Sequence, residues 1–170
     1  MSPAPVRFHD PGSLAYDFSG SALVRCPRCD RLAHFERGVR LEGSAGLEGS
    51  AGLEGSAGLE RSAPSGRTAR PESRVICRSC GLSRVVNGCR RPPLWLCAGT
   101  RHGELWAYNL AHLDLIRRFV AASLRERDPW YEHGRKMTCV ARLPAWVKRA
   151  KNRDEVLRAI DRMRGSVTAS

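Results

Sequence analysis

CPRC at residues 26–29 and CRSCG at 77–81 are the stretches whose reading decides the fold of this chain. Two residues between cysteines let one tight turn aim both sulfurs at a common point about 2.3 Å away, and two such turns facing each other close a tetrahedron. The spacing therefore predicts one metal site built from Cys26, Cys29, Cys77 and Cys80. Zn²⁺ suits a four-sulfur tetrahedron, with iron as the chemical alternative. Gly81 follows the second turn, where a positive φ would let backbone N–H groups point at the thiolates. Asp30 holds the same place after the first turn, and aspartate visits that region more readily than most residues.

Short strands flank both turns. ALVR (22–25) precedes the first, and LAHFER (32–37), with its alternating pattern, follows it. The second half repeats the plan, with strands over 74–77 and 82–86. A thioredoxin-like redox motif should open a helix after a strand, and neither cysteine pair is followed by helical periodicity. Two C-x-x-C pairs in a chain with seven cysteines, an odd number, favour metal over disulfides.

The two halves are separated by 47 residues between Cys29 and Cys77, against a usual spacing of roughly 12 to 20. Most of the excess is a repeat: Leu-Glu-Gly-Ser-Ala-Gly occurs at 41–46, 47–52 and 53–58, and a fourth copy begins at Leu59. A six-residue period rich in glycine fits neither a helix nor a heptad, and three copies bury too little to stand as a β-helix. The repeat reads as a long disordered loop inserted in the metal-binding unit. Loop-closure entropy rises by only about 0.6 kcal/mol per doubling of length, so such a unit can carry it.

Outward from there, residues 1–20 read as a flexible N-terminal arm, with Phe8, Tyr16 and Phe18 as its anchors. Residues 21–37 and 73–88 form the metal-binding unit, 38–72 the repeat loop, 89–108 a β-hairpin and 109–165 a helical region. Asn87-Gly88 and Pro92-Pro93 mark turns. LWLCA and ELWAY form the hairpin around a five-residue loop, Gly99 to Gly103. Asn109 stands as the cap of a helix over 110–127, where Leu113, Ile116, Val120 and Leu124 share one face. Pro144 opens a short helical turn, and Asn152 with Glu155 forms a capping-box start for a last helix that Gly165 ends. The fold class expected is α+β: a metal-binding ribbon of antiparallel hairpins, extended by a further hairpin and covered by two main C-terminal helices.

Other residues invite chemistry and are better assigned to packing. Cys89, Cys97, His102 and Cys139 can be drawn as a second metal site, but their spacings follow no turn geometry, and free cysteine is commonly buried. His112, facing Ile116 one turn on, reads as a helix residue rather than a ligand. Trp95, Trp106 and Trp146 could stack on bases, although core packing is the stronger reading for each. Tyr108, Trp130 and Tyr131 are the other aromatics that could stack.

The formal charge is +12, from 29 basic and 17 acidic residues, and the excess lies in the second half. Arg142, Lys148, Arg149, Lys151, Arg158 and Arg162 are the candidate nucleic-acid contacts, within a run that also holds Arg153 and Arg164. A solvated helix face predicts much the same pattern. Four thiolates around Zn²⁺ would lower the net charge by two. Arginine makes up 26 of the 29 basic residues, a bias that codon composition alone can produce. No apolar run approaches the roughly 18 residues that span a bilayer, and the N-terminus lacks an apolar leader core, so a soluble, cytoplasmic protein is expected.

CPRC and CRSCG between short strands resemble the zinc ribbons of transcription factors of the IIB type, RNA polymerase subunits and ribosomal proteins. LWLCAGTRHGELWAYNLAHLDLIRRFVAASLRER with RLPAWVKRAKNRDEVLRAIDRMR looks like the C-terminal half of small uncharacterised bacterial zinc-ribbon proteins. The resemblance implies a zinc ribbon with one structural Zn²⁺. No Walker A, G-x-G-x-x-G, H-E-x-x-H or G-x-S-x-G pattern occurs, and a four-cysteine site has no open coordination position, so no catalytic residue and no small-molecule substrate are expected. Two functions remain open. One is a non-enzymatic accessory protein of transcription or replication that binds DNA or RNA; the other is a protein-interaction adapter whose zinc only stabilises the fold.

Overall fold

The structure is a computed structural model, and it describes residues 5–40, 70–86, 91–126 and 138–169. The hexapeptide repeat, Asn87-Gly88, Cys89, Trp130 and Tyr131 lie outside the described residues. In chain order the elements are β1 (Arg7–His9), α1 (Ala15–Ser19), β2 (Ser21–Arg25), β3 (Leu32–Arg40), β4 (Arg70–Cys77), β5 (Leu82–Val86), β6 (Cys97–Thr100), β7 (Gly103–Trp106), α2 (Leu110–Ala121), β8 (Leu124–Glu126), α3 (Ala145–Lys148) and α4 (Arg153–Thr168). A 3₁₀ turn over Ala150–Asn152 leads into α4.

β2, β3, β4 and β5 form one antiparallel sheet in sequence order. The two cysteine turns join β2 to β3 and β4 to β5, so they stand side by side at one end of the sheet. β3 and β4 pair from His34 opposite Ile76 to Arg40 opposite Arg70. The sheet thus takes in residues 38–40 and 70–72, which were expected in the loop. Arg40 and Arg70 sit at the other end of the sheet, about 27 Å from the start of β3 at some 3.4 Å per residue.

β2 joins two cores because its side chains alternate across the strand. Ala22 and Val24 join Cys26, Ala33, Phe35, Val75 and Cys77 in a small core within the sheet. Leu23 points the other way, into a larger core with Leu96, Leu105, Leu113, Ile116, Phe119, Val156 and Ile160. The backbone ties the halves together as well: Leu23 N–H donates to Tyr108 O at 2.7 Å, and Trp95 N–H donates to Leu23 O at 2.9 Å.

The mixed α+β architecture matches the expectation, with several local corrections. The segment read as a flexible arm carries β1 and α1. Phe8 is buried edge-on against Phe119 at 5.4 Å, and Phe18 stacks on His112 at 4.9 Å, whereas Tyr16 is exposed. α2 stops at Ala121 instead of running to 127, because Ala122 turns to extended backbone and the N–H groups of Ser123 and Leu124 donate to Val6 O. β8 then pairs in parallel with β1. The β6–β7 loop is two residues, Arg101 and His102, since the strands pair out to Thr100 opposite Gly103. Trp95 falls outside that pairing and donates its Nε1–H to Ser166 Oγ at 3.0 Å.

The start of α4 also differs. Asn152 is buried and gives its Nδ2–H to Trp146 O at 2.9 Å, while Glu155 pairs with Arg101 across the β6–β7 turn, so neither is free for a capping box. α4 runs through Gly165 to Thr168, its last turn held by Ser166.

Asn109 does cap α2, accepting from His112 N–H at 2.9 Å. Its Nδ2 donates to Phe18 O and Ser21 O at 3.1 and 2.8 Å, so one amide joins α1, β2 and α2. Asn109→Ala is expected to cost roughly 2–3 kcal/mol, combining a lost cap with two lost hydrogen bonds. The urea midpoint of the metal-loaded protein measures this; a loss under about 0.5 kcal/mol would mean that the amide does not make these bonds.

Candidate metal centre

Cys26 directly follows β2 and Cys77 ends β4, both buried; Cys29 and Cys80 complete the two turns and are half-buried. Each turn reverses the chain between hydrogen-bonded strands, which brings its paired sulfurs to the same side. Cys26 N–H donates to Arg31 O at 2.8 Å, Asp30 N–H donates to Cys26 O at 3.0 Å, and Arg28 N–H points at Cys26 Sγ from 3.4 Å. The expected left-handed residues are both present, with φ 56° at Asp30 and 70° at Gly81. Any residue with a Cβ at Gly81 would strain the second turn. Asp30 also pairs with Arg25 at 3.2 Å, but both side chains are exposed, so the pair adds little to stability.

Cys26 Sγ and Cys80 Sγ are 3.6 Å apart, and Cys29 Sγ and Cys77 Sγ are 3.7 Å apart. All four sulfurs lie within 4.8 Å of one another. Bonds of about 2.3 Å at tetrahedral angles would set sulfurs about 3.8 Å apart. These separations are far longer than the roughly 2.05 Å of a disulfide. The set therefore fits a four-coordinate thiophilic metal ion such as zinc, with Cys26, Cys29, Cys77 and Cys80 as its ligands.

Proton affinities show why the set takes a cation. Against the Arg31 backbone N–H, which favours the thiolate, burial and the three neighbouring sulfurs push Cys29 up to about 12. Burial also opposes ionisation of Cys77, but the Cys80 backbone N–H and the other sulfurs bring it down to about 7. A bound cation would favour the thiolate form of the ligands, so metal binding is coupled to proton release.

The remaining cysteines and histidines gather no second set among the described residues. Cys139 is in the larger core, and its thiol is pushed up by burial and then by Asp17 and Asp10. Cys97 in β6 is pushed up to about 11 by burial and by Glu104. His112 is buried between the rings of Phe18 and Tyr108, accepts Tyr108 N–H at Nδ1, and is pushed down to about 4 by burial. It is a neutral helix residue, Cys139 is a protonated core thiol, and Cys97 is a protonated, half-buried thiol outside both cores.

Of the six basic residues singled out in the sequence, Lys148 lies in α3, Lys151 in the 3₁₀ turn and Arg158 and Arg162 in α4, while Arg142 and Arg149 lie between elements. Lys148 turns back to donate to Ala141 O. Arg142, Arg149, Lys151, Arg158 and Arg162 are exposed. Arg164, their neighbour, pairs with Asp114 of α2. Trp146 packs partly buried against the larger core beside Gly103, while Trp106 is 41% exposed. Trp106 was expected in the core, packed across the hairpin from Trp95 or onto the helix, but Trp95 lies outside the β6–β7 pairing and Trp106 faces Cys97 instead.

No helix among the described residues is long and apolar enough to cross a membrane. Compared with known proteins, the chain matches no family model, no curated protein and no solved structure.

Proposed function

We propose that this chain is a non-enzymatic zinc-ribbon protein that binds one structural Zn²⁺ and acts as a nucleic-acid-associated accessory protein. The observation that supports the metal half is the four-sulfur cluster itself, with separations of 3.6 and 3.7 Å across the two turns. Four protein ligands fill a tetrahedral coordination sphere, so the metal would serve the fold rather than activate water. The cluster also closes the small core of the sheet, where Cys26 and Cys77 are two of seven buried residues. The nucleic-acid half rests on the net charge of +12 and on exposed arginines such as Arg28, Arg84, Arg158 and Arg162, which form no ion pair among the described residues.

Anisotropy of labelled DNA and RNA against the zinc-loaded protein across a salt series tests this reading. Binding at low salt that weakens steeply as salt rises is expected, since each phosphate contact releases counterions. Absence of binding to both nucleic acids at low salt would remove the nucleic-acid half and leave the protein-adapter reading in its place.

A further inference from the structure

A groove of about 1020 Å³ opens beside the cysteine cluster, between the first cysteine turn, the end of β5 and residues 91–93. Arg25, Arg28, Arg84 and Arg91 line it, with Asp30 as its one carboxylate. Through Arg25, Arg91, Pro92 and Pro93 it is continuous with a hollow of about 650 Å³ that extends to Glu104 and Trp106. One trough thus runs from the first turn of the metal centre to an exposed indole on β7.

Its side chains are held ready. The Arg25 guanidinium lies over the Trp95 ring at 5.3 Å while it pairs with exposed Asp30 at 3.2 Å, and that of Arg91 lies over Tyr108 at 4.7 Å, contacts that hold both planar cations in place. Arg28 and Arg84 are exposed and form no ion pair among the described residues. With Arg31 and Arg78 of the same two turns, six cations outnumber Asp30, Glu104 and the net −2 of a loaded four-thiolate centre. At the far end, Trp106 stands edge-on to Tyr108 at 5.1 Å and to buried His112 at 6.0 Å, which holds its ring while leaving it 41% exposed.

Guanidinium groups along a groove can track a phosphate backbone, and a rigid exposed indole beside them offers a face on which a base can stack. A duplex hides its base faces in its own stack, and the Asp and Glu side chains that would make a peptide acidic offer no ring for the indole to meet. We propose that this trough binds single-stranded nucleic acid, with Arg25, Arg28, Arg84 and Arg91 on phosphates and Trp106 stacked on a base. The proposal rests on the nucleic-acid reading above and places the contact at the metal centre instead of on α4, where Arg158 and Arg162 share their face with Asp154 and Asp161.

The test uses the zinc-loaded full chain and a fluorescein-labelled thymidine oligonucleotide, with zinc content and circular dichroism confirming that each variant folds. Arg28→Gln with Arg84→Gln should weaken binding at least tenfold and flatten the slope of log affinity against log salt by about 1.4, at roughly 0.7 per phosphate contact. Trp106→Leu should weaken it about tenfold, while Trp106→Phe restores most of it because the ring is kept. Arg158→Gln with Arg162→Gln should change affinity less than twofold. The proposal is overturned if the α4 pair loses affinity while the trough pair does not, if a duplex binds as tightly as the single strand, or if polyglutamate competes as well as an unlabelled oligonucleotide. A wild-type chain that binds no nucleic acid at low salt would remove the broader reading along with it.

Discussion

Cys77→Ser is expected to abolish stoichiometric zinc binding and, with it, the folded β2–β5 sheet. The substitution replaces one of four ligands with a hydroxyl that does not ionise near neutral pH, and the three sulfurs left cannot close the coordination sphere. Structural zinc sites contribute roughly 10–16 kcal/mol of apparent binding free energy in small peptides, a gain present only in the folded state. The sheet has little to set against that loss, because its core consists of Ala22, Val24, Ala33, Phe35 and Val75 besides the two cysteines. Metal content by colorimetric chelator release and sheet content by circular dichroism measure both effects. Cys97→Ser, which alters a protonated thiol of β6, should keep about one zinc per chain. Full retention of zinc by the Cys77 variant would refute the assigned ligands.

Leu113→Ala carries the second large effect, in the other core. Leu113 is fully buried on α2, in a cluster with Ile116, Phe119, Val156 and Ile160 that joins α2 to α4. Truncation leaves a cavity and should cost about 3–4 kcal/mol. That is a large part of the roughly 5–15 kcal/mol that stabilises a typical domain. Denaturant unfolding at saturating zinc gives the number, and the variant should still bind zinc, since none of the four ligands touches this cluster. A cost below 1 kcal/mol would contradict the packing of α2 against α4.

The metal centre was legible in the sequence because its geometry is local. Each C-x-x-C fixes its own turn, and the positive φ at Asp30 and Gly81 follows from the same turn. Asn109 was legible for a similar reason: a cap serves the helix that begins beside it. What sequence reading missed depends on partners distant in the chain. Leu124 continues the helical stripe of α2, yet it lies in a strand because Val6, more than 100 residues earlier, offers its carbonyl. Asn152 and Glu155 have the spacing of a capping box, but Trp146 O and Arg101 compete for them and prevail. The arginine trough was invisible for the same cause. Arg25, Arg28, Arg84 and Arg91 are scattered along the chain and converge only once β2 and β5 are placed, whereas the run at 142–164 was conspicuous because its charges are consecutive.

The pairing of Arg40 with Arg70 separates the insertion point from the ligand set. It makes the far end of β3 and β4 a socket whose two lips meet, so inserted chain leaves the sheet and returns at neighbouring points. For a flexible insert, adding or deleting a hexapeptide copy there would change the closure cost only logarithmically with length, and the ligand set lies at the opposite pole of the sheet. A chain with one hexapeptide copy deleted is therefore expected to hold as much metal as the full chain.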